Sequence, residues 1–383
     1  MEIASPKKYA DVAAFIRAES PDYASFVFSE PQLRKSSRAF HQGFDGLVTY
    51  AVKANPARHV LKILVDEGMK AFDVASVNEM ALVREIAPEA ALHYNNPIRS
   101  QREIETAWNT YQVRSYSIDG FSQLDRIAEI VPPSRDVEIT VRFKTRKAKK
   151  SWDFGTKFGA AEEDAVELAR SAEERGYSAS LCFHVGSQCE DVKAYARHIA
   201  TAGRIAEAAG ITLKRLNVGG GFPAAYPSST APELDAYFET IRKAVKKTFG
   251  KQAPELIVEP GRAMVTPCTS LLLRVKHRRR ADAVYLNDGT YGALMEIQFM
   301  PIVPPVRVWR GDKIVTGETA PFVIFGPTCD SHDALPQHIH LPVDVAEDDW
   351  IEFGLMGAYT QASLTDFNGF SKRLQFWADD ILV

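Results

Sequence analysis

From about residue 46 to residue 260, short apolar runs alternate with amphipathic stretches. The apolar runs predict eight strands, over residues 47–53, 70–74, 91–94, 114–118, 137–143, 179–184, 214–218 and 255–259. Between them a helical spacing of apolar positions predicts helices over 58–67, 76–86, 100–109, 121–130, 162–175, 192–209 and 234–249. Ser76 with Glu79 reads as a capping box at one helix start. Eight strands, each but the last followed by a helix, is the pattern of a (β/α)8 barrel. An eighth helix has room to begin near Arg262, but the text there soon turns β-like.

Beyond about residue 266 the pattern changes. Short strands are expected over 271–276, 283–287, 306–309, 322–325, 350–353 and 374–377, separated by turn signals such as Arg310-Gly311-Asp312-Lys313. This predicts a second, all-β domain. A strand-like run at Ser25–Phe28 precedes the barrel and is expected to join that domain. The expected α/β architecture is therefore a TIM-type barrel over residues 30–265 and a β-sheet domain made of 1–29 and 266–383.

Bulk properties narrow the function classes. At 383 residues, two domains is the natural expectation. A net charge of -3 gives no electrostatic case for a nucleic acid or an anionic membrane as partner. Cys182, Cys189, Cys268 and Cys329 are far apart, and no Cys-x-x-Cys pair suggests a metal. Free thiols of this kind suit a reducing cytoplasm. The apolar stretch after Lys7 and Lys8 is short and broken by Asp11, unlike a signal peptide, and no apolar run reaches transmembrane length.

A barrel of this kind builds its active site at the C-terminal strand ends. Here those ends carry Lys53, Asp73, Asn95 and Asn96, Arg142, His184, the Gly219–Gly221 loop and Glu259. Lys53 follows an apolar run, and Asn55-Pro56 stops the strand behind it. A desolvated lysine amine can lose its proton and form a Schiff base with an aldehyde. The plainer reading is a solvated lysine that happens to follow a strand. Asp73 reads as a site carboxylate or as the cap of the next helix. His184 reads as a site group or as a satisfied core histidine. Three glycines at 219–221 remove every Cβ, so backbone N–H groups can close on an anion. Alone, they could be a plain tight turn. Arg262, in the loop after the eighth predicted strand, adds a planar fork for a phosphate. A lysine for an aldehyde, a phosphate cradle and a buried carboxylate together describe pyridoxal 5'-phosphate. Glu259 would then hold a proton on the pyridine nitrogen, and His184 would stack on the ring.

Several runs carry a family likeness. They are 50–56, Phe72-Asp73-Val74-Ala75-Ser76, His184-Val185-Gly186-Ser187, 219–223, Glu259-Pro260-Gly261-Arg262, Gly326-Pro327-Thr328-Cys329-Asp330 and Gly357-Ala358-Tyr359-Thr360. In this order they resemble the alanine-racemase-fold (fold type III) basic amino acid decarboxylases that use pyridoxal 5'-phosphate, most of all the ornithine decarboxylase group. The resemblance covers nearly the whole chain. It implies Lys53 as the covalent attachment point of the cofactor and Glu259 as the partner of its ring nitrogen. It places Asp73, Glu79, Arg142 and His184 around the cofactor, with Ser187, Gly220, Gly221, Gly261, Arg262 and Tyr359 at its phosphate. Cys329 would be the proton donor, delivered across a homodimer interface into the partner's site. Asp330, Tyr291 and Phe367 would meet the substrate, with Asp330 at its distal ammonium. The product would be a diamine for polyamine biosynthesis.

One departure limits the substrate. After Asn287-Asp288-Gly289-Thr290-Tyr291-Gly292, the ornithine decarboxylase pattern carries a further acid that falls here near Phe299 or Met300. The acid in this run is Glu296, which either substitutes for it or faces solvent. Ornithine, lysine, arginine, diaminopimelate and carboxynorspermidine therefore stay open as substrate types. A racemase on the same fold would need a second base facing Lys53, and the Cys329-Asp330 motif argues against it. A non-catalytic regulatory relative would be expected to lose Lys53 or the phosphate ligands. The basic run 144–150 reads as a solvated loop near the site mouth, and 274–280 as an exposed basic hairpin.

Overall fold

The computed structural model describes residues 7–144, 157–300 and 302–383, so all of the basic run after Lys144 lies outside the described residues. The chain divides into two compact units. One holds Ser37–Pro223 and Thr230–Ala263; the other holds the described residues up to Ser36, Ala224–Ser229 and Met264–Val383.

The first unit is a closed ring of parallel strands. Tyr50–Ala51 pairs with Ala71–Val74, and pairing continues through Ala91–Tyr94, Ser115–Ile118, Glu138–Arg142, Ser178–Cys182, Arg215–Asn217 and Glu255–Val258. Glu255–Val258 pairs in turn with Leu47–Val48, which closes the ring. The first strand is thus in two short pieces joined at Thr49, whose N–H and hydroxyl both donate to the carbonyl of Val258. Helices Arg58–Asp66, Val77–Ile86, Gln101–Asn109, Phe121–Ile130, Glu162–Glu174, Lys193–Ala209 and Leu234–Phe249 follow the strands, each within one residue of its expected ends. After the last strand only a four-residue helix forms, Arg262–Val265.

Leu234–Phe249 shows why these elements pack. Its apolar positions Tyr237, Phe238, Ile241, Ala244 and Val245 lie on one face and are buried. Phe222 packs its ring against Tyr195 at 5.2 Å and against Tyr237 at 5.9 Å. Aromatic pairs of this kind add about 0.5–1.5 kcal/mol beyond their buried area. Because Phe222 directly follows the glycine triplet, this packing also anchors the Gly219–Gly221 turn. Tyr195 reinforces it by donating to the Gly220 carbonyl at 2.8 Å.

The barrel interior is partly polar. Strand register sets Asp73, His93, Ser115 and Glu138 side by side. Buried Glu138 accepts from the Ser180 hydroxyl and from Arg215 at 2.8 Å. Arg215 also reaches Glu255 at 3.0 Å. A carboxylate inside the barrel is tolerable only because its charge is paired and hydrogen-bonded.

In the second unit, Thr269–Arg279 is the spine of a mixed sheet. Its first half pairs with Ser25–Phe28 on one edge and with Trp350–Phe353 on the other. An irregularity between Val275 and His277 turns its second half onto Ala283–Leu286. Ser25–Phe28 then pairs with Leu374–Asp380, which pairs with Lys8–Asp11. Asp11, which breaks the apolar N-terminal stretch, caps the helix Val12–Glu19 by accepting from Ala14 N–H at 2.7 Å. This helix, unanticipated from the sequence pattern, buries Val12, Phe15 and Ile16 against Val27, Leu272 and Phe376. Part of the basic hairpin is paired: Arg274 and Lys276 reach Asp22, and His277 reaches Glu347.

Candidate active site

Lys53 stands on a single 3-10 turn, Val52–Ala54, at the C-terminal end of the first barrel strand. The Asn55 N–H closes this turn on the Val52 carbonyl, and the Asn55 side chain accepts from Ala57 N–H at 3.1 Å. Its Nζ lies 3.8 Å from the Asp73 carboxylate, which is 5% exposed while the lysine side chain is 52% exposed. Asp73 is not the cap of the next helix. Ser76 fills that place, accepting from Glu79 N–H at 3.3 Å. The expected capping box is shifted by one residue, since Glu79 accepts from Ala75 N–H at 2.6 Å rather than from Ser76. Burial raises the pKa of Glu79, and the neighbouring Asp73 charge adds to it.

Glu259, just past the last barrel strand, is where electrostatics is most unusual. Burial and then the Asp73 charge push its carboxyl up to about 7. Asn95 and Asn217 both donate their side-chain amides to its Oε1. They hold the carboxyl in one orientation while the amide of Asn217 also favours its charged form. The sequence pattern marks Asn95 as a strand-end residue and does not single out Asn217. Their shared signal was position: each sits at the end of a barrel strand, level with Glu259.

His184 is half-buried, and its Nδ1 accepts from Gly186 N–H at 3.0 Å. Burial first, then the positive charges of Arg142 and Lys53, hold its pKa well below the ordinary histidine value. A neutral imidazole therefore faces the site, suited to stack on an aromatic ring. Arg142, at the end of its strand, lies over the Phe158 ring at 5.0 Å.

The glycine triplet is required residue by residue. Gly219 and Gly221 have φ of +73° and +90°, where other L-residues are strained. A Cβ at Gly220 would stand 2.6 Å from the Glu259 carbonyl and 3.4 Å from His184 Nε2. A Cβ at Gly221 would stand 2.3 Å from the Gly186 carbonyl. The backbone thus lies against the site floor where no side chain fits. Buried Arg262 donates its Nε to Ser187 Oγ at 3.1 Å. Guanidinium, hydroxyl and side-chain-free backbone form an anion cradle in the same unit as Lys53 and Glu259.

The other expected residues lie in the second unit. Tyr291 stacks on Phe367 with ring centroids 4.4 Å apart, and its hydroxyl hydrogen-bonds Asp330. Asp330 accepts from the His332 N–H at 2.8 Å. The Cys329 thiol and N–H meet the Asn368 side-chain oxygen, both at 3.4 Å. Beneath this loop, buried Asp333 accepts from Thr290 N–H at 2.7 Å and Thr328 N–H at 3.0 Å. It occupies space that a Cβ on Gly289 or Gly326 would enter, which explains why both motifs carry glycine there. Tyr359 has φ of +58° on a loop whose Gly357 N–H donates to Thr266. Glu296 sits half-buried on the short helix Met295–Phe299. Phe299 is 66% exposed, whereas Met300 is buried with Ala224, Tyr226, Ile302 and Leu355.

These groups fit pyridoxal 5'-phosphate. An amine, an anion cradle lacking side chains, a flat neutral imidazole and a carboxylate oriented by two amides match its aldehyde, phosphate, ring face and ring nitrogen in chemical type. Among the described residues, no cluster of His, Cys, Asp or Glu could hold a metal ion, and no helix is long and apolar enough to cross a membrane.

Comparison with known proteins agrees with the cofactor. Residues 30–266 match the family model for the pyridoxal-binding domain of pyridoxal-dependent decarboxylases. Lysine/ornithine decarboxylase of Selenomonas ruminantium is 34% identical over 332 residues, which cover 84% of this chain and 81% of that one. Antizyme inhibitor 2 of Xenopus laevis is 31% identical, covering 84% of this chain and 72% of that one. The arginine decarboxylase of Paramecium bursaria Chlorella virus superposes with a TM-score of 0.85 at 25% identity, covering 96% of this chain and 99% of that one. With a family model spanning well over half its length, this chain belongs to the pyridoxal-dependent decarboxylases: it is an amino acid carboxy-lyase that works with pyridoxal 5'-phosphate.

Proposed function

We propose that the substrate is a basic L-amino acid, L-ornithine first and L-lysine beside it, and that the product is a diamine of the kind used in polyamine synthesis. The observation that carries this reading is the Asp330 carboxylate. The His332 N–H, the His332 imidazole and the Tyr291 hydroxyl all lower its pKa, so it stays ionised. A fixed carboxylate next to the exposed Cys329 thiol suits a substrate with a second cation at its far end.

In this reading Lys53 supplies the amine that holds the cofactor. Gly220, Gly221, Gly261, Ser187, Arg262 and Tyr359 hold its phosphate, while Asp73, Glu79 and Arg142 set the charge around it. When bound, the cofactor supplies an electron sink for the pair left on Cα as CO2 departs. Glu259 sustains that sink through its carboxylate, and His184 covers one ring face. The partner subunit's Cys329 delivers a proton to Cα, which requires a two-fold homodimer with composite sites. The chain's free thiols suit a cytoplasmic location.

A second reading, an arginine, diaminopimelate or carboxynorspermidine type of substrate, is favoured by one observation. Where the ornithine pattern expects an acid, Phe299 is exposed and Met300 is buried in an apolar cluster. Glu296 is then the nearest acid in sequence. Decarboxylation of ornithine, lysine, arginine, diaminopimelate and carboxynorspermidine by the purified holoenzyme separates the two. Ornithine or lysine should show the highest kcat/KM, and a clear preference for any of the other three would overturn the proposed order.

A further inference from the structure

The Asp330 carboxylate has an unusual neighbour. His332 gives it two donors at once: its backbone N–H at 2.8 Å and its ring Nδ1 at 2.9 Å, both on Oδ1. The imidazole side chain is 83% exposed, and Asp330 is 31% exposed. The backbone of the same residue is fastened, because the His332 carbonyl accepts from the Thr290 hydroxyl at 3.3 Å. The ring therefore reaches Asp330 from an attachment point that is held. The Tyr291 hydroxyl, which also binds Asp330, buried Asp333 and the exposed Cys329 thiol are further titratable groups of this loop cluster. A neutral imidazole donating from Nδ1 orients the carboxylate and leaves its charge intact. A protonated one makes the same contact as an ion pair and cancels that charge for any other cation.

We propose that His332 is a specificity-determining positioning residue, which sets how strongly Asp330 holds the distal cation of a dicationic substrate or product. This rests on the reading that Asp330 meets that cation. With His332 neutral, a diamine is favoured over a monoamine of equal length. Once His332 is protonated, the two cations compete for one carboxylate and the diamine loses its advantage. The effect acts on binding, so KM moves more than kcat.

The test measures competitive inhibition of the holoenzyme by 1,4-diaminobutane and by n-butylamine between about pH 8.5 and about pH 6. Taking the ratio of the two constants cancels the pH effects that both amines share. In the wild type the diamine's advantage should shrink about two- to fivefold on acidification, as expected for a charge pair screened by solvent. His332→Gln, which keeps a neutral side-chain donor, should hold the ratio flat. His332→Leu should lower the advantage at every pH. Asp330→Asn should abolish it throughout. If Asp330→Asn abolishes the advantage while His332→Gln keeps the wild-type slope, the role of His332 is overturned and the Asp330 reading stands. If the advantage survives Asp330→Asn, the Asp330 reading falls, and this inference with it.

Discussion

The Lys53 ammonium and the buried Asp73 carboxylate stand 3.8 Å apart at the C-terminal end of neighbouring barrel strands. The amine is held beside a carboxylate yet reachable, with about half of the lysine side chain exposed. An amine in that position is the one that an aldehyde cofactor meets. The purified protein should be yellow, borohydride should bleach it, and peptide mapping should find the reduced adduct on Lys53. Lys53→Ala should show no covalent adduct. An adduct on another lysine would sink the assignment.

The cradle gives a steric prediction. Gly221 combines a φ of +90° with a Cβ position 2.3 Å from the Gly186 carbonyl. Gly221→Ala must shift backbone that forms the anion site. Cofactor affinity, measured by absorbance titration of the cofactor-free protein, should fall at least about tenfold, or 1.4 kcal/mol. Arg262→Lys should also weaken it, because a point charge replaces a bidentate fork. Unchanged affinity in both variants would remove the phosphate from this turn.

Most of this was legible because barrel chemistry sits at strand ends, and strand ends follow from where apolar runs stop. Lys53, Asp73, Arg142, His184 and Glu259 needed only that count. The amides of Asn95 and Asn217 escaped because their role is to touch a third residue, Asn217 from the neighbouring strand and Asn95 from further round the barrel, and no local pattern encodes such a meeting. The helix Val12–Glu19 escaped because eight residues give too few turns for periodicity, although Asp11 was a visible cap. The His332–Asp330 contact escaped because a histidine two residues after an aspartate carries no signal until the loop bends.

Glu259 makes stability depend on pH in a direction opposite to most carboxylates. Its folded pKa, about 7, lies above the ordinary 4.5, so the folded state holds a proton that the unfolded chain has released. Stability is then unaffected by this group below the ordinary value and falls as pH rises from there to about 7. Thermal unfolding of the cofactor-free protein should show this loss, on the order of 3 kcal/mol, in wild type but not in Glu259→Gln. Identical pH curves for the two proteins would mean that Glu259 titrates normally.

The same substitution tests catalysis. A neutral amide at position 259 can still take the donors from Asn95 and Asn217, so the fold should hold and the cofactor should bind. It cannot balance positive charge at a ring nitrogen. Decarboxylation by Glu259→Gln should fall by about 10²–10⁴-fold with little change in KM, since the lost interaction matters most at the transition state. A rate near wild type would place Glu259 away from the ring nitrogen.

Cys329 is the exposed cysteine of the chain; Cys182, Cys189 and Cys268 are buried. If it protonates Cα, Cys329→Ala should still release CO2 but misplace the proton. The product would then be partly an aldehyde, with its nitrogen left on the cofactor, and activity should decay during turnover. If the thiol serves the opposite subunit, mixing Lys53→Ala, which is inactive, with Cys329→Ala, which misplaces the proton, should restore sustained formation of the amine product. Random exchange at equal mixing makes half of the dimers heterodimers, each with one intact site of two, so recovery should reach roughly a quarter of wild type. Subunit exchange is checked separately by mass tagging each variant. Demonstrated exchange with no recovery would mean that Cys329 serves its own subunit or plays a structural part only, and the shared-site dimer would be wrong.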